Sequence, residues 1–346
     1  MKHYQERVRT LDQRVDHVRR WLSELECWRY QEILPLDEWH FSAPEAGIGP
    51  CILHRGEFWP SRKGVTEWTY GDTAIPESWP LDGTRLVLDL GGEARIFMDY
   101  GTGTRSCASN PYHRVIFVEG RRFALRAEAV ARNLFGKPQR DPKFSTAFLG
   151  RLEEGLAVFL LEAFTILDGA IALRDHEAAP ALLELLELEL ARLPWPTETI
   201  PFLERIADHP ETLSIWNRLV DPPAAPKPLE DRHRAALDSA TERLRKGLAE
   251  LRGRWPKVGT VALTGHAHID YVWLWPQHET VRKSLRTFGT QTMLLDHYGF
   301  FRFNQSQACL YADVETADPS LFKEILRHTR EGRWEPVGGL IGTVIY

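Results

Sequence analysis

The chain has 346 residues, 43% of them hydrophobic and 26% charged, with 43 Lys and Arg against 48 Asp and Glu for a net charge of −5. That length exceeds one typical domain and leaves room for two or three compact units with sizeable cores, which excludes a largely disordered chain. A slightly acidic balance without any Lys/Arg-dense run excludes the electrostatic footprint of a nucleic-acid or anionic-membrane binder.

The N-terminal segment MKHYQERVRTLDQRVDHVRR is charged throughout and lacks an apolar signal region. Residues 5 to 30 predict one amphipathic helix, because Val8, Leu11, Val15, Val18, Leu22 and Leu25 recur at spacings of three and four. Pro35 is expected to end it, so residues 1–34 form a first unit. From 35 to 149 the texture is that of short strands: Arg85–Leu90, Ala94–Met98, Val115–Val118 and Phe123–Val130, with turns at Gly91-Gly92, Tyr100–Gly103 and Glu119-Gly120. Such close spacing favours an antiparallel β-sandwich or jelly-roll-like domain.

Residues 150–256 read as a helical connecting region, strongest at Ala181–Ala191, with a Pro-rich linker at 221–228 and a second amphipathic helix bearing Leu237, Leu244, Leu248 and Leu251. No stretch is expected to span a membrane. The four cysteines, Cys27, Cys51, Cys107 and Cys309, form no CxxC pair and suggest buried free thiols in a reducing cytoplasm.

From 257 to 346 the pattern alternates. Val258–Leu263 predicts a buried parallel strand, Thr280–His297 a helix, Phe301–Phe303 a strand, Ser320–Arg330 a helix and Trp334–Val337 a third strand. The fold class is therefore a multidomain α/β protein that closes on an incomplete (β/α) barrel-like domain.

The segment Thr264–Pro276, TGHAHIDYVWLWP, follows the first of these strands, where α/β folds place their sites. In an extended chain His266, His268 and Asp270 share a face, with neighbours about 6.6 Å apart. Two imidazoles and a carboxylate on one face suit zinc or a similar divalent ion; a hydrogen-bonded polar rim is the plainer alternative. Gln305-Ser306-Gln307 is placed near this site, either binding ligand hydroxyls or capping a loop. His278, Glu279 and Arg282 read as a solvated or salt-bridged helical face, Trp334 as core, and Trp68, Trp79 and Asp89 as packing and turn residues in preference to a sugar-binding surface.

Three blocks in order, TGHAHIDYVWLWPQHETVRKSLRTF, FRFNQSQACLY and EGRWEPVGG, resemble the start of the catalytic domain of glycoside hydrolase family 38, the class II α-mannosidases. Upstream, VLDLGGEARIFMDYG and FALRAEAVARNLFGKP resemble the domain that precedes it. The resemblance implies a zinc-dependent retaining α-mannosidase acting on a terminal α-mannoside of an oligosaccharide or glycoside. His268 and Asp270 would be metal ligands, His266 a neighbour on the substrate side, and Trp273 the aromatic floor of the sugar subsite. It also implies two further ligands, an Asp and a His, and an Asp nucleophile.

None of Asp296, Asp313 and Asp318 corresponds to that nucleophile, which is expected beyond residue 346. The apolar ending LIGTVIY reads as a premature stop, frameshift or fragment boundary. With two of four ligands, zinc binding is expected to be weak and the chain inactive alone. Its open strand edges suggest reliance on a partner, either a second copy or a complementing C-terminal chain. Two other readings stand beside this one: an HxH-type metal-dependent amidohydrolase, and a non-catalytic carbohydrate-binding paralogue.

Overall fold

The computed structural model describes residues 10–60, 64–133, 136–194 and 228–340. The first residues of the expected N-terminal helix and positions 221–227 of the expected linker lie outside the described residues. The chain forms two compact units, each discontinuous in sequence: Met1–Ile33 with Gly150–Thr260, and Leu34–Leu149 with Val261–Tyr346.

The first unit is a helical assembly. Helix α1 (Leu11–Leu25) opens on a capping box in which the Thr10 hydroxyl accepts from the Gln13 amide while the Gln13 side chain accepts from the Thr10 amide. Its seam of Val15, Val18, Leu22 and Leu25 is buried, as the spacing predicts. The helix stops ten residues short of Pro35, however, and a 3₁₀ turn leads into strand β1 (Tyr30–Pro35). Tertiary bonding overrides the helical pattern here. Buried Glu26 takes Arg29 at 2.5 Å, and the Arg29 carbonyl accepts the Glu153 amide at 2.8 Å.

Helices α2 (Glu154–Ala172), α3 (Ala178–Arg192) and α4 (Asp231–Arg254) complete the described part of this unit. Contrary to the sequence expectation, α2 is long and apolar enough to cross a membrane. One face of it joins the core, where Leu156, Phe159, Leu160, Ala163 and Leu167 are buried with Leu183, Leu186, Leu237 and Leu244 of α3 and α4, while Val158 and Leu161 are exposed.

In the second unit, residues 34–149 build antiparallel sheets. The strands are β2 (Glu38–Ala43), β3 (Ile48–His54), β4 (Thr66–Ala74), β5 (Thr84–Asp89), β6 (Glu93–Asp99), β7 (Thr104–Ser109), β8 (Val115–Phe117), β9 (Arg122–Val130) and β10 (Thr146–Leu152). One sheet runs β3-β2-β4-β9-β6-β7 and a second β1-β10-β5-β8. Strand β9 alternates in the expected way, burying Phe123, Leu125, Ala127 and Ala129. Between the layers lie Trp39, Phe41, Trp59, Trp68, Trp79 and Phe144, which makes Trp68 and Trp79 packing residues. Asp89 closes a turn by accepting the Gly91 amide at 2.8 Å. Of the four free cysteines, Cys27 and Cys107 are buried, while Cys51 is exposed and Cys309 half-buried.

Strand β6 breaks the alternation, because Glu93 and Arg95 on its outer face are buried as well. Helix α5 (Gln277–His297) covers that face. Gly289 allows the approach: a Cβ there would stand 2.5 Å from the Ser106 carbonyl oxygen on β7. Thr290 then accepts the Ala108 amide of this edge strand at 2.8 Å.

The remaining elements are β11 (Gly265–His266), β12 (Phe303–Gln307), α6 (Ala308–Ala317), α7 (Pro319–Arg330) and β13 (Trp334–Leu340). The three strands form a parallel sheet in the order β11-β12-β13. The expected strand Val258–Leu263 is absent, and Val258, Val261 and Leu263 are 105%, 80% and 88% exposed. Register explains this. Gly265 pairs with Phe303 and His266 with Asn304, an offset of 303 − 265 = 38. The partners of 258–263 at that offset would be 296–301, where α5 ends and the chain turns, so no ladder is offered. For the same reason the second strand begins at Phe303 and not at Phe301.

Candidate functional site

The main-chain ladder between β11 and β12 ends at His266, yet the chain does not come loose there. The Gln305 side-chain amide donates to the Ala267 carbonyl at 2.5 Å, and the Gln307 amide donates to the Ile269 carbonyl at 2.7 Å. The Gln305 Oε1 accepts the main-chain amides of Ser306 and Gln307 at 2.8 and 3.3 Å. Gln305 and Gln307 are both buried. Of the two roles the sequence left open for this triplet, the structure gives Gln305 and Gln307 the loop contacts.

Beyond the ladder, His268 and Asp270 meet. Nε2 of His268 lies 3.0 Å from Oδ1 of Asp270, with side chains 60% and 12% exposed. His266 turns to a different partner, its Nδ1 lying 3.0 Å from both the main-chain and side-chain oxygens of Asn304. Among the described residues no third His, Cys, Asp or Glu joins the 268–270 pair within ligand-sharing distance.

The next turn sets two tryptophans edge to face, with ring centroids 5.4 Å apart. Trp273 is 37% exposed while Trp275 is buried. Trp275 is fixed on three sides. Its Nε1 donates to Thr280 at 3.0 Å, Lys283 lies 4.5 Å from its ring centroid, and Gly136 sits so close that a Cβ there would be 2.4 Å from the ring. Sequence reasoning missed this anchoring, since Gly136 and Trp275 are remote in the chain.

The Glu279 face of α5 is a buried network and not a solvated surface. Glu93 pairs with Lys283 and Arg286, each at 2.6 Å, and Arg286 also pairs with Glu279 at 2.7 Å. Burial pushes the Glu279 carboxyl up, but attraction and hydrogen bonding from Arg286, with Lys283 and Arg282 behind it, outweigh this and hold it below the usual range. Burial holds the Lys283 ammonium below its ordinary value despite Glu93.

A second grouping is Asp296, Glu324 and His328, whose ligand-type atoms lie within 4.8 Å of one another. Guanidinium groups already occupy it. Arg105 reaches Asp296 at 2.8 Å, and Arg327 reaches Asp296 and Glu324 at 2.7 and 2.8 Å. Two arginines against two carboxylates leave little field for a cation. A cleft of about 800 Å³ near Tyr100, Arg122, Arg126 and Ser320 does not include the 268–270 pair.

Residues 258–342 match the family model described as the glycosyl hydrolases family 38 N-terminal domain. Alpha-mannosidase G of Dictyostelium discoideum is 40% identical over 75 residues, which is 22% of this chain and 7% of that protein. Human alpha-mannosidase 2C1 is 41% identical over 80 residues, 23% of this chain and 8% of the relative. The alpha-mannosidase of Saccharomyces cerevisiae is 34% identical over 76 residues, 22% and 7% respectively. The chain thus matches less than a tenth of these relatives' length, and the family-model match at 258–342 contains the residues from His266 to Gln307.

Proposed function

We propose, from the premise that residues 258–342 belong to glycoside hydrolase family 38, that this chain carries the opening part of a zinc-dependent retaining α-mannosidase acting on terminal α-D-mannosyl residues. The observation that carries the reading is the contact of His268 with Asp270. A neutral imidazole and a carboxylate are suitable zinc donors, and two donors on one tetrahedral ion stand roughly 3.3 Å apart, close to the 3.0 Å between these atoms. The donor chemistry fits.

Zinc bound there would supply a Lewis-acid grip on sugar hydroxyls, orienting the ring. The His268 side chain is largely exposed and that of Asp270 largely sheltered, so the imidazole is the accessible member of the pair. The exposed part of Trp273 offers an apolar surface for a sugar face, with His266 as a further polar neighbour. The remaining ligands and the nucleophile implied by the resemblance are assigned to no residue here. The parallel strands β11–β13, with their intervening helices, support reading 257–346 as the start of a barrel-like catalytic domain behind the sandwich at 35–149.

The test is zinc binding by the purified chain, measured by equilibrium dialysis and metal analysis. One weakly held ion, lost in His268→Ala and Asp270→Ala, is expected. Zinc retained at full occupancy in both variants would refute the assignment.

A further inference from the structure

We infer that Gln305 and Gln307 are positioning residues for the His268–Asp270 pair: their side-chain amides take over the ladder where the main chain leaves it. The inference rests on the proposed role of that pair. Its central observation is one of register. Main-chain pairing joins residues 38 apart, Gly265 to Phe303 and His266 to Asn304. The two side-chain bonds, Gln305 to Ala267 and Gln307 to Ile269, keep the same separation of 38. Two added rungs thus hold the carbonyls of 267 and 269 toward β12, although β11 itself has ended.

The consequence follows from strand geometry. In extended backbone the carbonyls of alternate residues point the same way, and the side chains of the intervening alternate residues share a face. Fixing Ala267 and Ile269 sets the side chains of 268 and 270 on one side, which is where their 3.0 Å contact is found. Gln305 acts as an adapter. Its oxygen takes the amides of Ser306 and Gln307 at the strand end, and its nitrogen serves the loop.

Stability alone does not account for Gln307. The residue is 97% removed from solvent, and its Oε1 is buried without a hydrogen-bond partner among the described residues. Leaving half of a buried amide unsatisfied is unfavourable, and a methionine of similar length would fill the space without that cost. What methionine could not supply is the N–H that holds Ile269. Groups that orient metal ligands through such bonds typically change metal affinity by ten- to a hundredfold when removed.

The experiment uses the full chain and the variants Gln307→Met and Gln305→Leu, with two readouts: zinc affinity by chelator competition, and amide hydrogen exchange over residues 264–274. A loss of affinity on the order of tenfold to a hundredfold, with faster exchange in that segment and unchanged exchange in β13, supports the inference. Wild-type affinity and wild-type exchange in folded Gln307→Met overturn it. Should the parent chain bind no zinc, the mannosidase reading fails, and exchange alone then decides the clamp: faster exchange at 264–274 in the variants supports it, and unchanged exchange overturns it.

Discussion

Nε2 of His268 stands 3.0 Å from Oδ1 of Asp270, the imidazole open to solvent and the carboxylate largely sheltered. Asp296, Glu324 and His328 are also grouped closely, but Arg105 and Arg327 neutralise that cluster. The two groupings therefore differ in what they leave free for a cation.

Zinc titration distinguishes them. Asp270→Asn is expected to weaken binding at least about tenfold by removing an anionic donor, whereas Asp296→Ala leaves affinity unchanged. Equal losses in both variants would move the metal site away from β11.

The approach of α5 to β7 gives a second prediction. In an exposed helix Gly→Ala gains about 1 kcal/mol. At Gly289 the added methyl meets the Ser106 carbonyl at 2.5 Å, and overpacking of this kind costs about 1–3 kcal/mol. Gly289→Ala should lower the thermal midpoint of unfolding by circular dichroism; a rise would show that the helix shifts freely.

The buried network on α5 titrates in acid. Since the folded-state pKa of Glu279 is lowered by Arg286 and its neighbours against the effect of burial, its stabilising contribution is present above the ordinary glutamate value of about 4.3. It is lost as pH falls through the lower folded value. Glu279→Gln should cost about 3–5 kcal/mol at neutral pH, and the gap between variant and parent should close below pH ~4. Denaturant titrations at several pH values check this, and a gap that widens in acid is the contrary result.

Helix α2 offers the last prediction. Phe159 is fully buried among Leu156, Leu160 and the helices around it. Phe159→Ala should destabilise by about 3–5 kcal/mol. A variant as stable as the parent would mean that this apolar helix is not packed as described.

Much of this was legible in the sequence, and the division has a physical basis. Periodicity marked the buried seam of α1, and the runs around Leu86, Ile96, Ile116 and Leu125 match β5, β6, β8 and β9 to within a residue or so, because local spacing decides which side chains share a face. The HxHxD spacing likewise brought His268 and Asp270 to notice. Tertiary structure alone decided what pairs with what. Val258–Leu263 has the composition of a strand but no partner in register, so it stays open. Glu279, Lys283 and Arg286 have the spacing of a solvated face but lie on β6, so they are buried. Gln305 and Gln307 look like polar loop residues until the offset of 38 sets them against Ala267 and Ile269. Hydrogen-bond register and burial are properties of two segments at once, and neither segment's sequence states them alone.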